Sequence, residues 1–279
     1  VRRILSDNKV FIKGTDYTEQ FSVAFGEGLV TSNGDKHRKD RSSFNKLFVK
    51  TNIAKYLEMM NKKSLEAIEE IVVPVMGTDR KGGSDEAKVI DIEHFFAILS
   101  LRVFIKFALG VDLPGKEEWL CKQVSDGSWA VGRMITLGLP MWNIFPAVHT
   151  IRKSRETLWD DLKPVVDRRK KEGLKEGEDT DCLSVMIEEK MSDEEINDHL
   201  VTLLSAGHDT TAYFSAYLVY LLGCNQQAQE RLREEITKQL NGRTMMEAND
   251  VTEMKYFNCV MQETMRLYSI IPCITRSCK

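Results

Sequence analysis

The sequence predicts a mainly α-helical protein with short β segments, on three observations. Helix breakers are scarce, with 17 Gly and 6 Pro in 279 residues. Apolar residues recur at steps of three and four through most of the chain. One such run opens at Ser192 and continues to about Gly223 without a stop signal, the length of a central helix.

The opening stretch, through Gly34, mixes short apolar pairs with Gly14, Gly26 and Gly28 and has no sustained period, so it reads as mostly loop with one short helix. Asp35–Phe48 and Ile53–Val73 carry apolar residues at helical spacing with charges between them, and Pro74 and Gly77 are expected to end the second run. Thr78–Lys88, with Gly82 and Gly83 among charges, reads as a surface loop, and Val89–Ile92 as a short strand. Glu93–Leu109, Lys116–Val131 and Pro146–Lys171 fit helices, separated by Gly110, Pro114, Gly138 and Pro140. Glu172–Asp181 reads as a solvated linker. Ser192 with Glu195 forms a capping box at the start of the long run, whose Ile196, Leu200, Leu203, Gly207, Thr210, Phe214, Leu218 and Leu221 share one face. Helices follow at Gln226–Leu240 and about Glu253–Tyr268, and Pro272–Lys279 reads as extended.

Composition excludes several classes. With 42% apolar and 29% charged residues the chain is neither disordered nor fibrous. The formal charge of −3, from 39 basic and 42 acidic side chains, offers no global field for nucleic acid or an anionic membrane. Six cysteines, Cys121, Cys182, Cys224, Cys259, Cys273 and Cys278, form no CxxC pair and no disulfide scaffold, so a reducing compartment is the simpler reading. The most apolar stretch, Phe95–Val111, is interrupted by Arg102 and Lys106 and reads as a core helix rather than a membrane span. Val1–Asp7 lacks a signal peptide's apolar run, and without an initiator Met the start reads as a cut. Length alone leaves one large domain or two ordinary ones open.

Three groups of residues could carry chemistry. In the long helix, Ala206-Gly207-His208-Asp209-Thr210-Thr211 places Gly and Thr on a stripe that is otherwise bulky and apolar. A small residue there admits close approach to the backbone, and a Thr hydroxyl can bond the carbonyl four residues back, that of Ala206. Close helix packing at Gly207, with Thr210 satisfied by the backbone, explains the same residues and is the reading that periodicity alone favours. Glu263-Thr264-Met265-Arg266 puts a carboxylate and a guanidinium at i and i+3, as a functional pair or as an ordinary surface one. Lys36-His37-Arg38-Lys39-Asp40-Arg41 concentrates cations, with His37 and Arg41 one turn apart, and suits either anion binding or a solvated face.

In this order the three groups resemble the cytochrome P-450 family. Ala206 to Thr211 resembles its (A/G)GxDT(T/S) central-helix motif, and Glu263 to Tyr268 its ExxR helix. Gly34 to His37 with Arg41 is similar to its (W/H)xxxR helix, and Arg276 falls where a family arginine follows ExxR. The resemblance implies a partial cytochrome P-450 fold, residues 1–279 forming one incomplete domain truncated at both ends. It lacks the N-terminal anchor and sheet and the FxxGxRxC loop.

The implied cofactor is haem b, with its axial cysteine outside this chain and no metal ligand within it. His37, Arg41 and Arg276 would meet the haem propionates. Ala206 and Gly207 would let the porphyrin and oxygen approach, Thr210 would hydrogen-bond bound oxygen, and Asp209 would help relay protons. Glu263 and Arg266 would be structural, bracing the cysteine loop. The implied activity is insertion of one atom of O2 into a small lipophilic substrate, with electrons from an NADPH-dependent reductase docking near Lys36, Arg38 and Lys39, and with no nucleic acid involved. The phrase Glu263 to Tyr268 is similar to eukaryotic microsomal members, which implies the cytoplasmic face of the endoplasmic reticulum membrane. The alternative is a catalytically inactive truncated product or a helical binding module. Substrate contacts are expected in Gly110–Pro146, where Trp129, Trp142 and Phe145 serve a ligand or an ordinary core equally well.

Overall fold

The periodic runs become helices in the computed structural model, which describes residues 1–7, 9–76, 89–139, 144–173, 180–272 and 274–279. The order is α1 (Arg2–Ser6), β1 (Phe11–Ile12), a π-helical turn (Asp16–Phe21) leading into α2 (Ser22–Phe25), α3 (Gly34–Asn45), α4 (Lys50–Ala67), a second π turn (Ile68–Val72) and α5 (Val73–Met76). Then come α6 (Ile92–Leu109), α7 (Glu117–Thr136), α8 (Pro146–Glu172), α9 (Cys182–Glu188), α10 (Asp193–Cys224), α11 (Gln226–Leu240), α12 (Ala248–Glu253), α13 (Lys255–Leu267) and β2 (Ser277–Cys278). Strands β1 and β2 pair antiparallel, Phe11 opposite Cys278 and Ile12 opposite Ser277. The mainly α reading with short β segments therefore holds.

The chain divides into two compact units, one of Val1–Val49, Phe104–Gly207 and Cys273–Lys279, the other of Lys50–Val103 and His208–Pro272. In the first unit α7 and α8 form a hairpin whose inner faces bury Leu120, Val124 and Val131 on one side and Ile151, Leu158 and Leu162 on the other, at helical spacing. The capping box at the head of α10 is present: the Ser192 N–H donates to Glu195 Oε2 at 2.9 Å and the Glu195 N–H to Ser192 Oγ at 3.2 Å.

A buried polar knot fixes the other end of α8. Arg169 donates to Asp181 Oδ2 at 2.9 Å, to Ser184 Oγ at 2.9 Å and to the Leu109 carbonyl at 3.1 Å. Asp181 Oδ1 caps α9 by accepting the Ser184 N–H at 2.7 Å. Asp181 is 2% exposed, so it does not belong to a solvated linker; residues 174–179 of that segment, like the whole of the loop expected at Thr78–Lys88, lie outside the described residues. Short α9 escapes a periodicity search because five of its residues in succession, Cys182, Leu183, Ser184, Val185 and Met186, are buried.

In the second unit the helix begun by α4 does not stop at Pro74. Proline removes one amide donor, and the π turn at Ile68–Val72 takes up the lost hydrogen bond just before it, so the backbone continues to Met76. The strand expected at Val89–Ile92 is absent: Asp91 caps α6, its Oδ1 accepting the His94 N–H at 2.9 Å, so Ile92 is already helical. Glu235 of α11 performs the same service for α13, accepting the N–H groups of Tyr256 at 2.9 Å and Phe257 at 2.7 Å. Among the described residues no helix is long and apolar enough to cross a membrane.

Removing one partner of the Arg169–Asp181 pair strands a buried charge, so Asp181→Ala is expected to lower stability by about 3–5 kcal/mol. Urea unfolding checks this, and a loss below 1 kcal/mol would contradict it.

Candidate functional site

Helix α3 starts after Asn33, and that residue does more than precede it. Its side chain grips the main chain of Lys13 from both ends, Oδ1 accepting the N–H and Nδ2 donating to the carbonyl, each at 3.2 Å. Lys13 directly follows β1, and Arg276 directly precedes its partner β2. Two-residue strands thus bring Lys13 and Arg276 to the start of α3, where His37 and Arg41 project one turn apart.

The electrostatics record that meeting. Burial first, then the charges of Arg276 and Arg41, lower the Lys13 ammonium to about 8. Burial, then Lys13 and Arg41, lower the His37 imidazole below its usual value, with Asp40 opposing. The Lys13 Nζ donates to the carbonyls of Leu29 at 2.7 Å and Ser32 at 2.8 Å, which hold the ammonium in place without neutralising it. Among the described residues no carboxylate pairs with Lys13, Arg41 or Arg276. Cations held together in this way favour a bound anion with more than one charge. The cluster joins three residues read from the sequence to one that reasoning missed. Lys13 carries no motif, and only the β1–β2 pairing could have pointed to it.

The rest of the basic run is less available than its composition suggests. Lys36 turns to Asp40 at 3.2 Å and Glu195 at 3.5 Å, and Arg38 pairs with Asp35. Of the three residues expected to form a docking face, Lys39 is the one with no such pair among the described residues.

Along α10 the six-residue motif has two different sides. A Cβ on Gly207 would sit 2.1 Å from Phe104 Cδ2, so the space the glycine leaves is filled by that ring. Close packing against Phe104 therefore accounts for a glycine at this position. His208 is 1% exposed; its carbonyl accepts the Ser100 hydroxyl at 3.2 Å and its Nδ1 lies 2.8 Å from Asp209 Oδ1. Ala206 and Thr210, one turn apart, are exposed and half-buried respectively. Asp209 lies between, half-buried, with its carboxylate already turned to the neighbouring imidazole.

Glu263 and Arg266 of α13 form a bidentate pair, Nε to Oε2 and Nη2 to Oε1 both at 2.7 Å, and both side chains are exposed. Each stabilises the ionised form of the other. Among the described residues no group of three or more His, Cys, Asp or Glu side chains could hold a metal ion. Trp129 is exposed, Phe145 half-buried, and Trp142 lies outside the described residues.

Comparison with known proteins places these features in a family. A family model described as cytochrome P450 matches residues 1–279. The chain is 26% identical over 275 residues to cytochrome P450 CYP749A22 of Panax ginseng, covering 91% of the chain and 49% of that protein. It is 26% identical to cyclooctat-9-en-7-ol 5-monooxygenase of Streptomyces melanosporofaciens, covering 96% and 57%. It is 25% identical to cytochrome P450 4V2 of Mus musculus, covering 90% and 51%. The chain thus spans about half the length of the curated relatives it matches. A crystal structure of a cytochrome P450, CYP102L1, superposes with a TM-score of 0.80 over 100% of this chain and 65% of that one, at 16% identity.

Two outcomes are expected from this geometry. Lys13 stays charged through the pH range in which His37 titrates, so in Lys13→Met the His37 midpoint, followed by NMR, should rise; an unchanged midpoint contradicts the cluster. Gly207→Ala should destabilise by about 1–3 kcal/mol through overpacking, and a Phe104→Leu background should relieve most of that loss in denaturant unfolding.

Proposed function

The chain belongs to the cytochrome P450 family, and on that premise we propose that the whole protein is a haem-dependent monooxygenase. It inserts one atom of O2 into a lipophilic organic substrate with electrons from a reductase. The observation that carries the reading is the gathering of Lys13, His37, Arg41 and Arg276 around one spot, with Lys13 brought down to about 8. That arrangement suits the paired propionates of haem b and suits a neutral ligand badly.

When bound, the haem supplies the iron redox chemistry that activates O2. None of the chain's cysteines stands in an FxxGxRxC phrase, so we assign the axial ligand to a cysteine outside these 279 residues. His37, Arg41, Arg276 and Lys13 would hold the propionates of the haem by charge-assisted hydrogen bonds. Ala206 keeps the open side of α10 low enough for a planar group to approach, while Gly207 serves the packing behind it.

The Thr210 hydroxyl holds and passes a proton at Oγ1 on that same side, and the Asp209 carboxylate, poised against His208, resupplies it. Glu263 and Arg266 brace the segment that carries the axial ligand and take no part in proton movement. An NADPH-dependent reductase supplies the electrons. Its contact with α3 is narrower than the run 36–41 suggests, since Lys36 and Arg38 are internally paired. We infer the cytoplasmic face of the endoplasmic reticulum membrane as the location, from the likeness of Glu263 to Tyr268 to microsomal members.

With the haem-loaded whole protein, Thr210→Ala is expected to lower product formed per reducing equivalent by roughly tenfold or more, the lower end of what one positioned proton-transfer group contributes. Coupling is read as NADPH consumed against product released. Coupling equal to that of the unsubstituted protein would overturn the role given to Thr210, and absence of a thiolate-type Soret band with carbon monoxide would overturn the haem assignment itself.

A further inference from the structure

The first unit buries a polar contact that the proposed chemistry does not use. His199 of α10 is 0% exposed and Asp40 of α3 is 4% exposed, with Nε2 and Oδ2 3.3 Å apart. The Phe44 ring stands edge-on to the imidazole, centroids 5.2 Å apart. Lys36 and Glu195 complete the set of charged groups around the pair. Neither His199 Nδ1 nor His199 Nε2 makes a hydrogen bond among the described residues, so the meeting with Asp40 is a close polar approach at 3.3 Å. A buried imidazole with neither nitrogen hydrogen-bonded is a poor way to stabilise a core, and an apolar side chain would fill that space at less cost. Some other consequence of the contact has to account for it.

Its position on α3 supplies one. The buried face of this helix comprises Asp40, Ser43 and Phe44, with Lys36 half-buried beside Asp40. His37 and Arg41 lie on the flank of that face, within about 100° of Asp40 at one residue per 100° of helix. An apolar face alone tolerates rotation and slippage, whereas one buried carboxylate that must stay beside one buried imidazole does not. Rotation of α3 about its own axis would carry His37 and Arg41 along the helix circumference, away from Lys13 and Arg276.

We propose that the Asp40–His199 contact is a register pin that fixes the rotation of α3 on α10 and thereby positions His37 and Arg41 for the anionic edge of the cofactor. The proposal rests on the haem reading of the cation cluster. Asp40 and His199 are positioning residues and touch no ligand themselves. Glutamine at 199 keeps a donor for Asp40 and should preserve the pin, while phenylalanine keeps the ring volume and removes it.

The test compares His199→Phe and His199→Gln by two readouts. One is the His37 titration midpoint in the chain, followed by NMR, which needs no haem. The other is the rate at which the haem-loaded whole protein gives up its haem to apomyoglobin. In His199→Phe the His37 midpoint should move up as the imidazole leaves Lys13 and Arg41, and haem transfer should speed up roughly tenfold, the usual scale for losing a support behind a ligand contact. His199→Gln should match the unsubstituted protein on both. If His199→Phe does not fold, Asp40→Leu with His199→Leu is read in the same way. A His37 midpoint and transfer rate unchanged in the folded apolar variant overturn the pin, as does His199→Gln behaving like His199→Phe. A shifted His37 midpoint in a protein that takes up no haem leaves the pin standing and sinks the haem reading instead.

Discussion

The Phe104 ring lying over Gly207 is the contact that joins α6 to the middle of α10. Because Gly207 has no Cβ, α6 approaches to a distance that any other residue would block, and the Ser100 hydroxyl reaches the carbonyl of His208 immediately beyond. Successive residues of an α-helix are turned by about 100°, so Thr210 lies about 60° from Gly207 on the same stripe, and Ala206 lies about 100° round from it. Within the motif, Gly207 and His208 are committed to α6, while Ala206 is exposed and Thr210 half-buried. The intrinsic helical weakness of a Gly and two adjacent Thr is offset by that packing rather than spread as flexibility.

Helix α3 shows the same division of labour in charge. Its Lys36 and Arg38 are matched by carboxylates, while His37 and Arg41 face Lys13 and Arg276. Holding like charges together requires a frame that does not neutralise them, and the frame here is built from uncharged groups. The Asn33 amide grips the Lys13 main chain, the carbonyls of Leu29 and Ser32 hold the ammonium, and four strand residues bring in Arg276. A site so constructed keeps its unfavourable self-energy until an anion arrives, which is what gives such an anion its affinity.

How much of this was legible in the sequence follows from how local each signal is. The head of α10 was legible because Ser192 and Glu195 are three residues apart and cap it without outside help. His37 with Arg41, and Glu263 with Arg266, were legible for the same reason. Lys13 was not, because its place depends on a pairing between chain ends that only two residues per strand record. The face of Gly207 was not, because periodicity puts it on the stripe without saying whether a ring or a ligand fills the gap. At Pro74 the local rule was right about the lost donor, but the π turn upstream absorbs that loss, and nothing in the residues Ile68–Val72 announces it. Val89–Ile92 reads as a strand by its β-branched residues, but Asp91 as a cap outweighs them.

The Glu263–Arg266 pair raises a different question, since its geometry is better than its location warrants. Two parallel hydrogen bonds at 2.7 Å are what a buried ion pair needs, yet these side chains are 55% and 68% exposed. At such exposure solvent screens most of the attraction, so the pair contributes little to holding α13 itself. What the contact does achieve is orientation. With Nε and Nη2 committed to Glu263, the guanidinium plane is fixed and its remaining N–H donors point in a defined direction away from the carboxylate. An arginine held that way is prepared to bond carbonyls of a neighbouring segment without first losing its own rotamer freedom. This is the physical content of the bracing role proposed for it, and it is why a pair of small intrinsic worth can still matter to the assembled site.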